Sequence, residues 1–282
     1  MKIALVGVGP WGSLLARKLT GAGALVTCYV RQGGPSIEGL GQRVSTDSLW
    51  QPGLVDGIVI AAPPAVTLAL ARRAASEGKA ALATKPLQLT GPLKITAPFL
   101  VDYVRLWAQG YRQLKNMVVG HAIARIEVEF YGQGPLRAFS SLDDYGPHAL
   151  AFVHDLLGTD RSLSEVRASP VRRFDCGATL HTAQARVGAT TIALQVGNGA
   201  PYRRMRLVVV VEGGGTVVYE EAAPNGILSF NGEVILDEAH DPLADMATQF
   251  INDTWSRVVD DRFVRLSVAV TRSLASIRQA ES

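Results

Sequence analysis

With 282 residues the chain exceeds what one hydrophobic core usually holds, and a prior of roughly 150 residues per domain suggests two. Its net charge of +3 is too small and too scattered for a nucleic-acid partner, and no apolar run approaches the roughly 20 residues of a membrane span. The opening Met-Lys-Ile-Ala-Leu-Val reads as a strand rather than a signal peptide. Cys28 and Cys176 lack Cys or His partners at metal-ligand spacing. Both are expected to be buried small residues in a reducing compartment, the cytoplasm, with no bound metal.

Over residues 1–103, short apolar runs alternate with helical periodicity. Residues 2–6 predict a strand, 11–22 a helix and 25–30 a second strand, followed by a glycine-rich loop at 32–41. Residues 57–62 predict a buried strand, 65–77 a helix closed by Gly78, 80–84 another strand and 100–106 the last one. Strands separated by helices imply parallel βαβ units and a doubly wound α/β sheet of the Rossmann kind. From 104 to 282 the pattern changes to an α+β domain with a largely antiparallel open sheet. A helix at 108–118 precedes an alternating strand at 124–131 and a helix at 147–157, opened by Pro147 and closed by Gly158. Strand-like runs at 176–187, 190–196, 204–211, 216–220, 226–230 and 233–236 are joined by glycine turns, as in hairpins. Two helices, 243–259 and 262–279, end the chain, with packing back onto the first domain as one arrangement for them.

Gly7-Val8-Gly9-Pro10-Trp11-Gly12 stands directly after the first strand and at the head of the first helix. Gly7 would permit the tight turn, Gly9 the close approach of backbone to a pyrophosphate, and Gly12 close helix–strand packing. The helix N-terminus would face the phosphates. Gly7, Gly9, Pro10, Trp11 and Gly12 are therefore candidate dinucleotide contacts; the competing interpretation is a plain glycine turn. An acid at the end of the second strand would select NAD. The sequence there is Cys28-Tyr29-Val30-Arg31-Gln32, and Arg31 could instead meet the 2′-phosphate of NADP, so NADP is preferred over NAD. A solvated surface arginine is the alternative.

Ala61-Ala62-Pro63-Pro64, followed by Glu77-Gly78-Lys79 and by Ala83-Thr84-Lys85-Pro86-Leu87, resembles the glucose–fructose oxidoreductase/inositol dehydrogenase family (Gfo/Idh/MocA). So do Asp144-Tyr145-Gly146-Pro147-His148, Leu156-Leu157-Gly158 and the tail around Asp241-Pro242-Leu243. The resemblance spans nearly the whole chain. It implies an NAD(P)-dependent dehydrogenase or reductase in which Lys85 is the catalytic lysine and Asp144 and His148 are the acid/base pair. It further implies that Ala62, Pro63, Pro64 and Lys85 line the cofactor, and that Arg105, Trp107, Tyr111 and Tyr145 contact a small-molecule substrate. Homo-oligomers through the C-terminal sheet are common in the family.

The residues agree chemically with those roles. An ammonium at a strand end can polarise a carbonyl or hold a developing alkoxide, and an imidazole exchanges protons near neutrality with a carboxylate to orient it. The bland alternatives are a surface lysine at Lys85, a turn residue at Asp144 and a salt-bridged arginine at Arg105. The chain also departs from the family. Its Glu before the lysine is Thr84, the acid three residues after the histidine is Ala151, and the helix before the last strand is reduced to 91–98. These departures keep two alternatives open, an imine reductase of natural-product assembly and a non-catalytic cofactor-binding sensor or scaffold. His154 and Asp155 read as a solvated or interdomain pair, and Tyr202-Arg203-Arg204 as a turn with solvated charges.

Overall fold

The computed structural model describes residues 1–30, 44–45, 54–132, 140–174, 177–200, 203–222 and 225–281. Arg31, Cys176 and Tyr202 lie outside the described residues. The chain divides into two compact units, Met1–Val104 with Leu243–Val268, and Arg105–Pro242 with Ala269–Ser282.

The first unit is built on β1 (Lys2–Val6), α1 (Pro10–Gly21), β2 (Leu25–Val30), β3 (Val44–Ser45), β4 (Gly57–Ile60), α2 (Pro64–Ser76), β5 (Ala80–Ala83) and β6 (Phe99–Val101). All pairs are parallel and the strand order is β3-β2-β1-β4-β5-β6, with the reversal between β1 and β4 where ligands of such sheets bind. β4 and β5 are buried along their whole length, which explains their continuous apolar composition. Helix α6 (Pro242–Ser256) packs on this sheet. A Cβ added to Gly57 would lie 3.2 Å from the Phe250 ring, so that strand position has no room for a side chain.

The strand expected over 100–106 is shorter than the apolar run suggested. After Val101, the Asp102 N–H donates to Ala83 O at 2.9 Å, and the chain then turns into a 3-10 segment, Val104–Trp107. β5 ends at Ala83, whose partner is Val101, so beyond the one Asp102 bond β6 has no strand to pair with. The β5–β6 connection carries no α-helix, in line with the shortened segment in the sequence; Leu87 and Leu89 pin it, at 1% and 2% exposure.

The second unit holds α3 (Gln109–Val118), β7 (Ile123–Tyr131), α4 (Ser141–Asp144), α5 (Gly146–Leu157), β8 (Ser164–Ala168), β9 (Arg172–Arg173), β10 (Thr179–Val187), β11 (Thr190–Gly197), β12 (Arg204–Val211), β13 (Thr216–Ala222), β14 (Asn225–Phe230) and β15 (Glu233–Ala239). Its nine-stranded sheet runs β15-β14-β13-β12-β7-β11-β10-β8, with β9 on β10, and is antiparallel except for β11–β7. Ile126, Val128, Phe130, Ile192, Leu194 and Val196 form the buried face under α5, whose residues from Gly146 to His154 are all buried. Asn231 and Gly232 both take positive φ, 51° and 90°, as a two-residue hairpin turn requires. The last helix, α7 (Arg262–Glu281), belongs to the first unit up to Val268 and to the second from Ala269.

Among the described residues, four elements had no counterpart among the expectations: β3, β8, β9 and α4. β8 and β9 are polar, largely exposed edge pieces without an apolar alternation. α4 is a single turn whose Ser140 side chain accepts from the Asp143 N–H, so the segment before α5 is helical too.

Candidate active site

At the switch point of the first sheet, Gly7 adopts φ +95°, and a Cβ there would meet Ala61 O at 2.2 Å. A Cβ on Gly12 would meet Gly7 O at 2.0 Å. These two glycines therefore let β1, β4 and α1 close on one another. Gly9 differs: a Cβ there would meet no atom of the described residues within 4 Å. Gly9 is also the N-cap of α1, with no side chain capping it, Pro10 in the first turn and no acidic residue there. The leading amides of a 12-residue helix thus end at open space beside a glycine, which fits the pyrophosphate of a dinucleotide. Next to it, the end of β4 carries Ala62, Pro63 and Pro64. Pro63 caps α2, and Thr67 Oγ1 donates to Ala62 O at 2.7 Å.

Lys85 follows β5 at the same carboxyl edge, and the Lys85–Pro86 peptide is cis. Its neighbourhood contains a carboxylate that the sequence did not single out. Asp102 is 1% exposed and its Oδ2 accepts from Trp11 Nε1 at 2.5 Å. Burial pushes the Asp102 carboxyl up to about 7, opposed by the Lys85 ammonium and by the indole hydrogen bond. The available signal was an acid closing an otherwise apolar run, Phe99-Leu100-Val101-Asp102. Among the described residues, no group of three or more His, Cys, Asp or Glu side chains could hold a metal ion.

In the second unit, Asp144 ends α4, Tyr145 caps α5, and His148 sits in the first turn of α5. Asp144 and His148 are buried, at 9% and 8% exposure. Phe130 of β7 stacks on both aromatic rings of this segment, with centroids 5.0 Å from Tyr145 and 5.8 Å from His148. Gly132 makes the Tyr145 position possible, because a Cβ there would fall 1.7 Å from the hydroxyl. The Arg105 guanidinium carbon also lies 6.0 Å from the Phe130 ring centroid. Arg105 Nη1 donates to Glu221 Oε2 at 2.5 Å, and Arg203 Nη2 reaches the same oxygen at 3.0 Å. Burial raises the Glu221 carboxyl above its ordinary range, partly offset by Arg203. Phe130 thus joins Tyr145, His148 and Arg105 within this unit, with Asp144 directly before Tyr145 in the chain.

Trp107 and Tyr111 are placed differently. The Arg112 guanidinium lies 5.1 Å from the Trp107 ring centroid. Tyr111 is 1% exposed, with its ring 4.8 Å from Phe152 and its hydroxyl donating to Asp155 Oδ2 at 2.7 Å, where Lys115 Nζ also reaches at 2.9 Å. Tyr111 is thereby held in the core, locking α3 to α5. His154 and Asp155 are not solvated. His154 is 0% exposed with Nε2 2.7 Å from Ser273 Oγ, and Asp155 holds Tyr111 and Lys115. Arg203 and Arg204 are likewise ion-paired rather than free, Arg204 with Glu129 at 3.1 Å.

No protein-family model matches the chain, and no curated protein matches it in sequence. Solved structures do share its fold. The UDP-N-acetylglucosamine 3-dehydrogenase of Acidithiobacillus ferrooxidans superposes with a TM-score of 0.80 at 17% identity, over 99% of this chain and 97% of that one. A 3-ketoreductase from Actinomadura kijaniata, solved with TDP-benzene and NADP, gives 0.77 at 17% identity, over 99% and 97%. The scyllo-inositol dehydrogenase of Lactobacillus casei, solved with NAD(H) and scyllo-inositol, gives 0.75 at 16% identity, over 99% and 96%.

Proposed function

We propose that this protein is an NAD(P)-dependent oxidoreductase of the Gfo/Idh/MocA type, interconverting the carbonyl and alcohol of a small keto-sugar or polyol. The observation that carries the proposal is the uncapped N-terminus of α1 beside the open Gly9, with Lys85 at the carboxyl end of β5 two strands away. Three solved proteins of this fold are a sugar-nucleotide dehydrogenase, a ketoreductase and a polyol dehydrogenase, which supports the substrate class.

The amides of α1 would hold the pyrophosphate, and Ala62, Pro63 and Pro64 would border the cofactor's path. Trp11 and Lys85 would flank its nicotinamide end. A bound nicotinamide supplies or accepts the hydride. Lys85 stabilises the negative charge that gathers on the substrate oxygen, His148 exchanges the proton, and Asp144 orients the imidazole. Arg105 is neutralised by Glu221, so it suits a hydroxyl-rich substrate better than a strongly anionic one. Tyr145 and Trp107 would supply further substrate contacts. For the cofactor, the absence of an acid after β2 and the presence of Arg31 favour NADP over NAD.

The test combines cofactor titration with turnover on a panel of sugars and polyols. Wild type should bind NADPH more tightly than NADH, and Arg31→Ala should lose that preference. Lys85→Met should keep cofactor affinity within about twofold while turnover falls by about 100-fold or more, the scale of one electrostatic contact made in the transition state. His148→Ala should fall comparably. Intact turnover in both variants would overturn the assignment of catalysis, and binding of cofactor without any turnover would favour the sensor.

A further inference from the structure

Asp102 is a costly residue for a purely structural position. Its Oδ2 accepts the Trp11 indole hydrogen bond, while its Oδ1 is buried with no hydrogen-bond partner among the described residues. A neutral amide could accept the same indole bond without burying a charge. The location gives the reason for an acid here. Asp102 continues the β5–β6 ladder by one residue, through its N–H to Ala83 O, so it stands beside Thr84, immediately before Lys85. The charged and titratable groups that act on it or feel it are Lys85 and the buried phenol of Tyr103. Lys85 is the one cation among them.

The far end of the contact is equally telling. In the order β1-β4-β5-β6, Trp11 follows β1 and Asp102 follows β6, three strand spacings apart, or about 14 Å. Indole and carboxylate together therefore span the carboxyl ends of β4 and β5, the edge carrying Ala62 to Pro64 and Lys85.

We propose that Asp102 is the positioning residue of the cofactor site: its carboxylate supplies the negative neighbour that Thr84 cannot, holding the Lys85 ammonium at the end of β5 while fixing Trp11 in the first turn of α1. The proposal rests on the reading that Lys85 serves hydride transfer, but its first test does not depend on turnover. The Trp11 indole N–H resonance, assigned with Trp11→Phe, is followed by nitrogen-15 NMR from about pH 5 to 9. In wild type it should titrate with a midpoint near neutrality, reporting Asp102. In Lys85→Met the midpoint should rise by about one unit as the compensating cation is lost. In Asp102→Asn the indole bond should persist and the titration vanish. A midpoint unmoved by Lys85→Met, or a titration surviving in Asp102→Asn, overturns the proposal.

Kinetics then separate positioning from scaffolding. Asp102→Asn should lower kcat about tenfold or more, change its pH profile, and leave the cofactor KM within about twofold, with the protein fully folded by circular dichroism. A folded Asp102→Asn protein with wild-type kcat and pH profile would overturn the positioning role. If wild type turns over no sugar or polyol, the functional reading fails, and the resonance measurement still decides whether Asp102 and Lys85 are a pair.

Discussion

His154 is wholly enclosed on α5, and burial lowers its pKa from 6.5 to about 4. The unfolded chain takes up a proton there near pH 6.5 and the native chain only near 4. Its contribution to stability is therefore present above pH 6.5 and lost as pH falls through 4. Asp102 works in the opposite sense. Its native carboxyl holds a proton up to about pH 7, the unfolded one only to 3.8, so its contribution is full below 3.8 and lost as pH rises through 7. Between about pH 4 and 6.5 the two oppose one another, and wild-type stability should vary little. Asp102→Asn removes one side of this balance. In denaturant titrations at a series of pH values, that variant should exceed wild type by a few kcal/mol at pH 7 to 8, the gap closing toward pH 4. A gap independent of pH would show that Asp102 does not carry the raised pKa. A buried acid retained against stability is what a functional site predicts.

The loop from β1 into α1 separates its glycines by task, and substitutions should separate them by phenotype. Gly7→Ala forces a side chain into positive φ and against Ala61 O, and Gly12→Ala forces one against Gly7 O. Both should destabilise the cofactor-free protein by about 2 kcal/mol or more, seen as a lowered melting temperature. Gly9→Ala meets no atom of the described residues at φ −63°, so it should cost about 1 kcal/mol or less, chiefly as a poorer N-cap. Its methyl would nevertheless fill the space assigned to the pyrophosphate, and NADPH affinity should fall tenfold or more in a fluorescence titration. Unchanged NADPH affinity in Gly9→Ala would move the phosphate site elsewhere. The same loop was largely legible from sequence, because strand, glycine spacing and helix are all local. β8 and β9 were not, because exposed edge strands carry no burial pattern and exist only through pairing with β10.

At the scale of the whole molecule, the solvent side of the second sheet bears on self-association. Arg204 pairs with Glu129 and with Glu220, Arg206 with Glu220 at 3.0 Å, Arg125 with Glu127, and Tyr131 donates to Gln195 at 2.5 Å. These positions lie opposite the apolar face under α5, and they are polar where an obligate interface would be largely apolar. Val208, Val210 and Val218 share that side with them, so a homo-oligomer through this sheet, as the family resemblance implies, would meet apolar positions among charged ones. Its mass in light scattering should be a multiple of 30.1 kDa at micromolar concentration. A mass of 30.1 kDa at micromolar concentration and low salt would reject it.

By itself the sequence determined what is encoded by neighbours along the chain. The alternation of apolar runs and helices specified the parallel sheet, and Gly7 to Gly12 specified the tight turn from β1 into α1. The span of β12, with its continuous valines, was legible to the residue. Tertiary structure alone decided which polar atoms meet across long separations. Trp11 and Asp102 are 91 residues apart, Arg105 and Glu221 116, and Tyr111 and Asp155 44. No local pattern records such partners, since a hydrogen bond is chosen by which side chains converge once the strands are in register. That convergence closed Tyr111 into the core against Phe152 and Asp155 and brought Asp102, one strand over, beside Thr84.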